Sequence, residues 1–368
     1  MDLKNYKVTK ANAWNGWDPL KQVILGNVFD PDFFEDIQDP KLRDLLQRLL
    51  YETHEDLMGI KKTLEDLGVE VIQPPRNTIA SYGEIDNSNK FSGITEAINT
   101  DWEGKIRGLP KPCLMPRDYY VTLGDKVLFT GFLHEKSEAH FLFEPGVVDY
   151  WDNKGLIYRE NGELSNDFWA PQLIRLGNRL IIDQEDYINL AEKVLERYPI
   201  FKGNKIAVGG HTDGSMNLPK PGLVVSGEWI PKETFKDTLP GWDVLHIENP
   251  NYYGNEWKDS WWDERNLTKG RWWHPEAKSN PDLVNYVDKW LNEWVGYAEE
   301  TMFEVNMLSI SEEVILSLNY HKDVHDKLKQ HGIEPIYCRF RHRNFWDGGL
   351  HCLTLDTVRE GGMQDYFK

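Results

Sequence analysis

Val305-Asn306-Met307-Leu308-Ser309, then Val314-Ile315-Leu316-Ser317-Leu318, then His321 to Gln330 and, past Gly332, Pro335 to Phe340: the reading of this stretch decides the fold. The first two runs are short and apolar with β-branched residues, as strands are. The third reads as a helix that Gly332 closes, and the fourth returns to a strand. The order is strand, strand, helix, strand. A similar order can be sketched near the N-terminus and in the middle of the chain, although no residue-level repeat is visible. Repeated small units of this kind are what a ring-like assembly needs.

Toward the N-terminus, Trp17-Asp18-Pro19-Leu20 reads as a turn and Lys21 to Gly26 as a strand. Asp39-Pro40 caps and opens a helix that runs to Leu67, with Leu42, Leu45, Leu46, Leu49, Leu50, Leu57, Ile60 and Leu64 mostly at helical spacing. Gly68 stops it, and Val69 to Ile72 is a strand ended by Pro74-Pro75. Residues 76–112 show no period and read as one long loop, a place where function often resides. Tyr119 to Leu123 and Lys126 to Phe129 around Gly124-Asp125 form the strongest hairpin signal. Arg179 to Ile182 with Gln184 to Tyr198 gives a strand and a helix. Lys205 to Val208 gives a strand that runs into Gly209-Gly210-His211-Thr212-Asp213-Gly214, and Leu223-Val224-Val225 follows. No Pro/Ser-rich linker divides the chain, so residues 1–368 are expected to form a single domain.

The 42 basic and 60 acidic residues leave a net charge of −18, which repels polynucleotides and anionic lipid and suits a neutral or cationic small ligand. Cys113, Cys338 and Cys352 are odd in number and lack zinc-type spacing, so no metal or other cofactor is expected, and a reducing cytoplasm is the simplest setting. The first residues contain no apolar signal-like region, and no run is long enough to span a membrane. Seven of the fifteen tryptophans fall between Trp257 and Trp294; they suit either a lid over an organic cation or an insertion packed on the surface.

Downstream of the first stretch, Gly348-Gly349-Leu350-His351-Cys352 precedes an alternating run, Leu353 to Val358. Cys352 thus sits where a loop runs into a strand. Alternation would send His351 to the face opposite the thiol, which makes it a poor base for Cys352. His211 stands in a similar Gly-Gly context, two residues before Asp213 and on the same face if the backbone is extended, so it is the better partner. Asp118 and Asp213 both lie where loops approach strands, and two carboxylates so placed can hold a planar cation by paired hydrogen bonds.

Trp17-Asp18-Pro19-Leu20, Met115-Pro116-Arg117-Asp118, His211-Thr212-Asp213 with Asn217 and Pro221-Gly222, and Gly348 to Cys352 resemble, in order, the signature stretches of the amidinotransferases. That family includes glycine amidinotransferase and inosamine-phosphate amidinotransferase. The resemblance implies an α/β pentein propeller, five ββαβ modules around a pseudo-fivefold axis with the site in a central channel. It implies Cys352 as nucleophile and His211 as acid and base. Asp118 and Asp213 would grip a guanidino donor such as L-arginine, with Arg117, Met115 and Asn306 completing the substrate-binding set. An amine is the expected acceptor, and a homodimer fits the resemblance. A guanidine hydrolase or deiminase on the same fold, or a non-catalytic guanidino-binding protein, would share most of these residues.

Two stretches depart from the family's pattern. Where it carries an aspartate that orients the histidine, this chain reads Phe168-Trp169-Ala170-Pro171-Gln172, and Asp167 two residues earlier is the nearest carboxylate. Where glycine amidinotransferases place an arginine for the donor's carboxylate, this chain reads Gly227-Glu228-Trp229-Ile230, which leaves Arg341 and Arg343 as candidate substitutes.

Overall fold

The computed structural model describes residues 7–76, 99–100, 106–109, 111–130, 142–151, 158–160, 163–165, 170–183, 190–206, 208, 211–247, 280–291, 294–295 and 303–367. Among them are five three-stranded sheets built to one plan: an antiparallel pair, then a third strand parallel to the second. The parallel step requires a crossover, which is why each unit needs a helix or long connection after its second strand.

In the first module Leu20–Leu25 pairs antiparallel with Thr354–Arg359 and parallel with Glu70–Ile72. The second comprises Tyr120–Leu123, Lys126–Phe129 and Val148–Tyr150. The third has Leu173–Leu176, Arg179–Asp183, the helix Leu190–Arg197 and Lys202–Ile206. The fourth has Met216–Lys220, Leu223–Gly227, the helix Lys232–Thr238 and Asp243–Ile247. The fifth has Leu308–Ser309, Val314–Ser317, the helix Lys322–Gln330 and Glu334–Tyr337. The first strand of the fifth module is thus shorter than the sequence suggests, and the last strand of the third starts earlier, at Lys202. Within 76–112, Asn99–Thr100 pairs with Ile106–Gly108, so that region is not loop throughout.

The helix Pro40–Asp66 shows how local sequence sets these boundaries. The Asp39 carboxylate accepts from Lys41 N at 2.9 Å, satisfying one of the free amides of the first turn. Leu42, Leu46, Leu49, Leu50, Leu57, Ile60 and Leu64 form its buried face. Gly68 takes φ 82° and terminates it, with Gly68 N on Glu65 O at 2.9 Å and Val69 N on Leu64 O at 3.0 Å, a Schellman closure.

Five apolar clusters show how the sheets are arranged, because each is shared by two modules. Ile24, Ile72 and Leu355 of the first module pack with Tyr120, Val127 and Phe129 of the second. Val121, Leu123 and Leu128 pack with Leu173, Leu180 and Ile182. Leu176, Ile181 and Ile206 join Met216, Leu218 and Val224. Leu223, Val225 and Ile247 join Ile315 and Val324. Leu308, Leu316 and Leu318 then return to Leu20, Val23 and Leu25 of the first. The five interfaces close a ring, the pentein architecture expected from the sequence. Among the described residues no helix is long and apolar enough to cross a membrane.

Polar contacts reinforce the ring at Asp356, which is fully buried. Its carboxylate accepts from Arg117 Nη2 at 2.7 Å and also from Arg175 and Arg359, so residues of the first three modules meet on one side chain. Arg359 goes on to donate to Ser309 O at 2.9 Å in the fifth. Burial alone would raise the Asp356 pKa, but the three guanidinium groups outweigh it and hold the carboxyl well below the ordinary range. Its stabilising effect is therefore complete above the unfolded-state pKa of about 3.9 and is lost as pH falls through the depressed folded value. Asp356→Asn leaves three buried cations without their anion and is expected to cost about 3–5 kcal/mol. Denaturant unfolding at neutral pH measures this, and a loss below 1 kcal/mol would show the cluster to be solvated.

Candidate active site

The site is assembled from the segments that lead into the first strand of each module. Cys352 stands two residues before Thr354–Arg359, and the 3-10 turn Pro116–Asp118 leads into Tyr120–Leu123. Ala170–Gln172 leads into Leu173–Leu176, the helical turn Thr212–Ser215 leads into Met216–Lys220, and Asn306 precedes Leu308–Ser309. A ring of equivalent approaches delivers its polar residues toward one place.

Cys352 is 2 % exposed and is held by Asn306 from both ends of its amide. Asn306 Nδ2 donates to Cys352 Sγ at 3.0 Å while Asn306 Oδ1 accepts from Cys352 N at 3.1 Å. The same Nδ2 donates to Asp213 O at 3.0 Å. Met115 packs on the glycine turn, where a Cβ added to Gly348 would lie 2.3 Å from Met115 Cε. Asp213 Oδ2 lies 3.6 Å from the sulfur and 2.6 Å from His351 Nδ1. His211 Nδ1 lies 4.0 Å from Asp118 Oδ1.

Both carboxylates keep one oxygen in reserve. Asp118 Oδ1 and Asp213 Oδ1 are buried and have no hydrogen-bond partner, an arrangement that costs free energy unless a donor arrives. Burial raises the Asp118 pKa, with Asp213 pushing the same way and His211 and Lys111 pulling it back. Burial also acts on Asp213, but the His351 hydrogen bond and the charges of His351, His211 and Arg117 prevail and hold it below the ordinary value. The Cys352 thiol is driven well up by burial and then by Asp213 and Asp118, with Asn306 only partly opposing. The isolated site thus favours a neutral thiol beside carboxylate, and a bound cation would reverse that preference.

Several sequence expectations change in detail. His211 and Asp213 do not share an extended face, because Thr212–Ser215 is helical and Gly214 N bonds back to His211 O at 3.0 Å. His351 is not in a strand: Leu353 N bonds Gly349 O and Thr354 N bonds His351 O, so residues 351–353 turn before the strand begins. The alternation that set His351 aside does not apply, and its ring reaches Asp213. Arg117 is 3 % exposed and is turned into the protein, with Nε on His351 O at 3.0 Å and Thr354 O at 2.9 Å. It supports the cysteine turn rather than offering a free fork to substrate.

Asp167 and Trp169 lie outside the described residues, as do Gly209 and Gly210 and the tryptophans from Trp257 to Trp273. Trp294 is fully buried, stacks on Trp346 at 5.7 Å and packs edge-on against Phe29, so that end of the tryptophan-rich stretch is core. Neither substitute arginine is brought to the thiol's surroundings. Arg341 is held by Asp56 and Glu55 on the long helix, and Arg343 is buried with Nη1 on Leu318 O at 3.0 Å. Trp229 lies against Gly227, whose added Cβ would meet the indole at 2.5 Å. A small cavity lined by Gly16, Arg117, Arg175, Asp213, Asn217 and His351 adjoins the acid and the second histidine. Cys352, His211 and Asp118 do not line it.

Glycine at 349 is required by close approach: an added Cβ would fall 2.5 Å from Asn306 Cβ and Oδ1 and 2.6 Å from its carbonyl oxygen. Gly349→Ala is expected to lower stability by about 1–3 kcal/mol through this overpacking. Gly362→Ala, which meets nothing within 4 Å, should leave the thermal midpoint unchanged. Equal midpoints for the two variants would contradict the described clamp on Asn306.

No family model matches the sequence. Inosamine-phosphate amidinotransferase 1 of Streptomyces glaucescens is 23% identical over 97% of this chain and 99% of its own length. L-arginine:L-lysine amidinotransferase of Pseudomonas savastanoi pv. phaseolicola is 25% identical over 96% of both. The mitochondrial glycine amidinotransferase of Gallus gallus is 27% identical over 96% of this chain and 84% of its own. Among solved structures, an amidinotransferase of the saxitoxin biosynthetic pathway from Microseira wollei superposes with TM-score 0.63 at 18% identity, covering 97% of this chain and 99% of that one. The inosamine-phosphate amidinotransferase of Streptomyces griseus superposes with TM-score 0.60, also at 18% identity, over 97% and 99%. Along nearly its whole length, then, the chain resembles the amidinotransferases, and it has the pentein fold.

Proposed function

We propose that the protein is an amidinotransferase, a single catalytic domain over residues 1–368 that moves an amidino group from a guanidino donor to an amine. The observation that carries this reading is the pair of buried oxygens without hydrogen-bond partners, Asp118 Oδ1 and Asp213 Oδ1, on two carboxylates that both act on the buried thiol of Cys352. A guanidinium supplies several N–H donors in one plane and one positive charge, which answers both oxygens and favours the thiolate. The curated relatives act as amidinotransferases by name, which selects amidino transfer among guanidinium chemistries. One of them is named for L-arginine as well as L-lysine, so L-arginine is the first donor to try.

The chemistry follows from the groups present. Cys352 passes its thiol proton to His211 as Sγ attacks the guanidinium carbon, forming a C–S bond and a tetrahedral intermediate. His211 gives a proton to the departing nitrogen, the C–N bond breaks, and an amidino-cysteine remains. The acceptor amine loses a proton to His211 and attacks the same carbon, and the sulfur leaves as thiolate. Atoms and charge balance over the two halves, and no redox step is needed. In this scheme Asp118 and Asp213 hold the group that is transferred, Asn306 and Met115 hold the thiol's turn, and Asp167 orients His211.

Incubation with L-arginine and a panel of amines is expected to release ornithine only when an amine is present. With the donor alone, mass spectrometry should find an amidino adduct on the Cys352 peptide. Cys352→Ser should abolish both, whereas Cys113→Ser and Cys338→Ser should retain them: those two thiols are also buried, and burial holds Cys338 up at about 11. Citrulline and ammonia without an amine would identify a hydrolase instead, and an adduct on another cysteine would remove Cys352 from the mechanism.

His211 needs an acceptor for its second nitrogen to fix the tautomer, and Trp169 cannot provide one because indole only donates. Asp167→Asn is therefore expected to slow turnover on the order of a hundredfold while donor binding is kept. Steady-state kinetics with kcat and KM separated decides this, and a variant as fast as the parent excludes Asp167 from the role.

A further inference from the structure

We propose that His351 is a positioning residue for Asp213: its Nδ1–H holds Oδ2 so that Oδ1 is the oxygen offered to a guanidinium nitrogen. The inference rests on the guanidinium reading above and assigns a role to a histidine that the transfer chemistry does not use. Four observations carry it. The Nδ1 to Oδ2 distance is 2.6 Å, within the range of a charge-assisted bond. Asp213 is 4 % exposed, and its other oxygen is buried without a partner. The His351 backbone is fixed from below, with its carbonyl accepting from Arg117 Nε at 3.0 Å. Arg117 is in turn anchored on Asp356. The position of the ring is thus determined by the central ion cluster and not by the substrate.

Geometry assigns the proton. Burial and the neighbouring Arg117 charge press the His351 pKa below its ordinary value, while the hydrogen bond and charge of Asp213 pull it back. A carboxylate oxygen at hydrogen-bond distance from Nδ1 requires that proton on Nδ1. Cys352 Sγ, 3.6 Å from the same Oδ2, adds only a weak thiol donor. Without His351, Asp213 Oδ2 would keep only that weak thiol donor, and nothing would hold Oδ1 toward the guanidinium.

The test uses the full chain carrying Cys352→Ala, which prevents turnover, with L-arginine and agmatine as probes and binding read by calorimetry. Adding His351→Leu should weaken binding on the order of tenfold or more. Adding His351→Asn, whose amide can place a donor near the Nδ1 position, should restore most of it. Independently, nitrogen-15 imidazole spectra of the unmutated protein should show His351 protonated at Nδ1, and Asp213→Asn should remove that signature. Equal affinity in His351→Leu and its parent, an asparagine variant as weak as the leucine one, or an Nε2–H tautomer each overturns the role. If the Cys352→Ala parent binds neither probe, the guanidinium reading fails as well, a result distinct from the other three.

Discussion

One carboxylate among three guanidinium groups is the contact on which the remaining polar structure depends. Asp356 is fully buried and binds Arg117, Arg175 and Arg359, which come from three different sequence regions. Three cations beside one anion would be unfavourable in an apolar interior if the remaining donors were idle. Most are not idle: Arg117 holds the carbonyls of His351 and Thr354, and Arg359 holds those of Asp18 and Ser309, while Arg175 Nη1 is buried without a hydrogen-bond partner. The apolar clusters between modules supply most of the driving force for ring closure. They are non-directional, however, and the arginine forks fix the rotation of one sheet against the next.

The same cluster sets the electrostatics of the candidate site. Burial and then Arg117 lower the His351 pKa, and Arg117 adds to the His351 and His211 contributions that hold Asp213 below its ordinary value. Burial first, and then Asp213 and Asp118, hold the Cys352 thiol well up, with Asn306 only partly opposing. A thiol kept protonated is protected from casual oxidation, because reactivity follows the thiolate. The net charge of −18 extends this preference outward, since a cationic ligand is attracted before it reaches the buried oxygens.

Much of this was legible in the sequence, and the part that was not has a physical cause. The hairpin around Gly124-Asp125, the helix from Pro40 and the strand-strand-helix-strand order after Val305 follow from local preference and packing pattern, and they stand where expected. The ring itself was legible only through family resemblance, because closure depends on Leu20–Leu25 pairing with Thr354–Arg359 across the length of the chain. The candidate residues Cys352, Asp118, Asp213 and His211 were found because loops running into strands carry chemistry. The direction of His351 was misread because a strand's alternation was extended into a turn, where side-chain direction is set by tertiary contacts and not by period. Gly348-Gly349 before His351 was the available signal that the backbone there is turning rather than extended.

Placing each site residue just before the first strand of a module has a further consequence. In a single helix or hairpin, neighbouring side chains share one local backbone, and a small shift carries them together. Here Asn306, Asp213, Asp118 and Cys352 ride on four modules, so their mutual distances are distances between modules. Any loosening of the ring moves Asn306 Nδ2 away from Cys352 Sγ and Asp213 O together, since both contacts cross a module boundary. Ring rigidity and site geometry are therefore the same variable. A buried ion cluster that costs desolvation is justified at this position because what it fixes is the orientation that the apolar contacts leave loose.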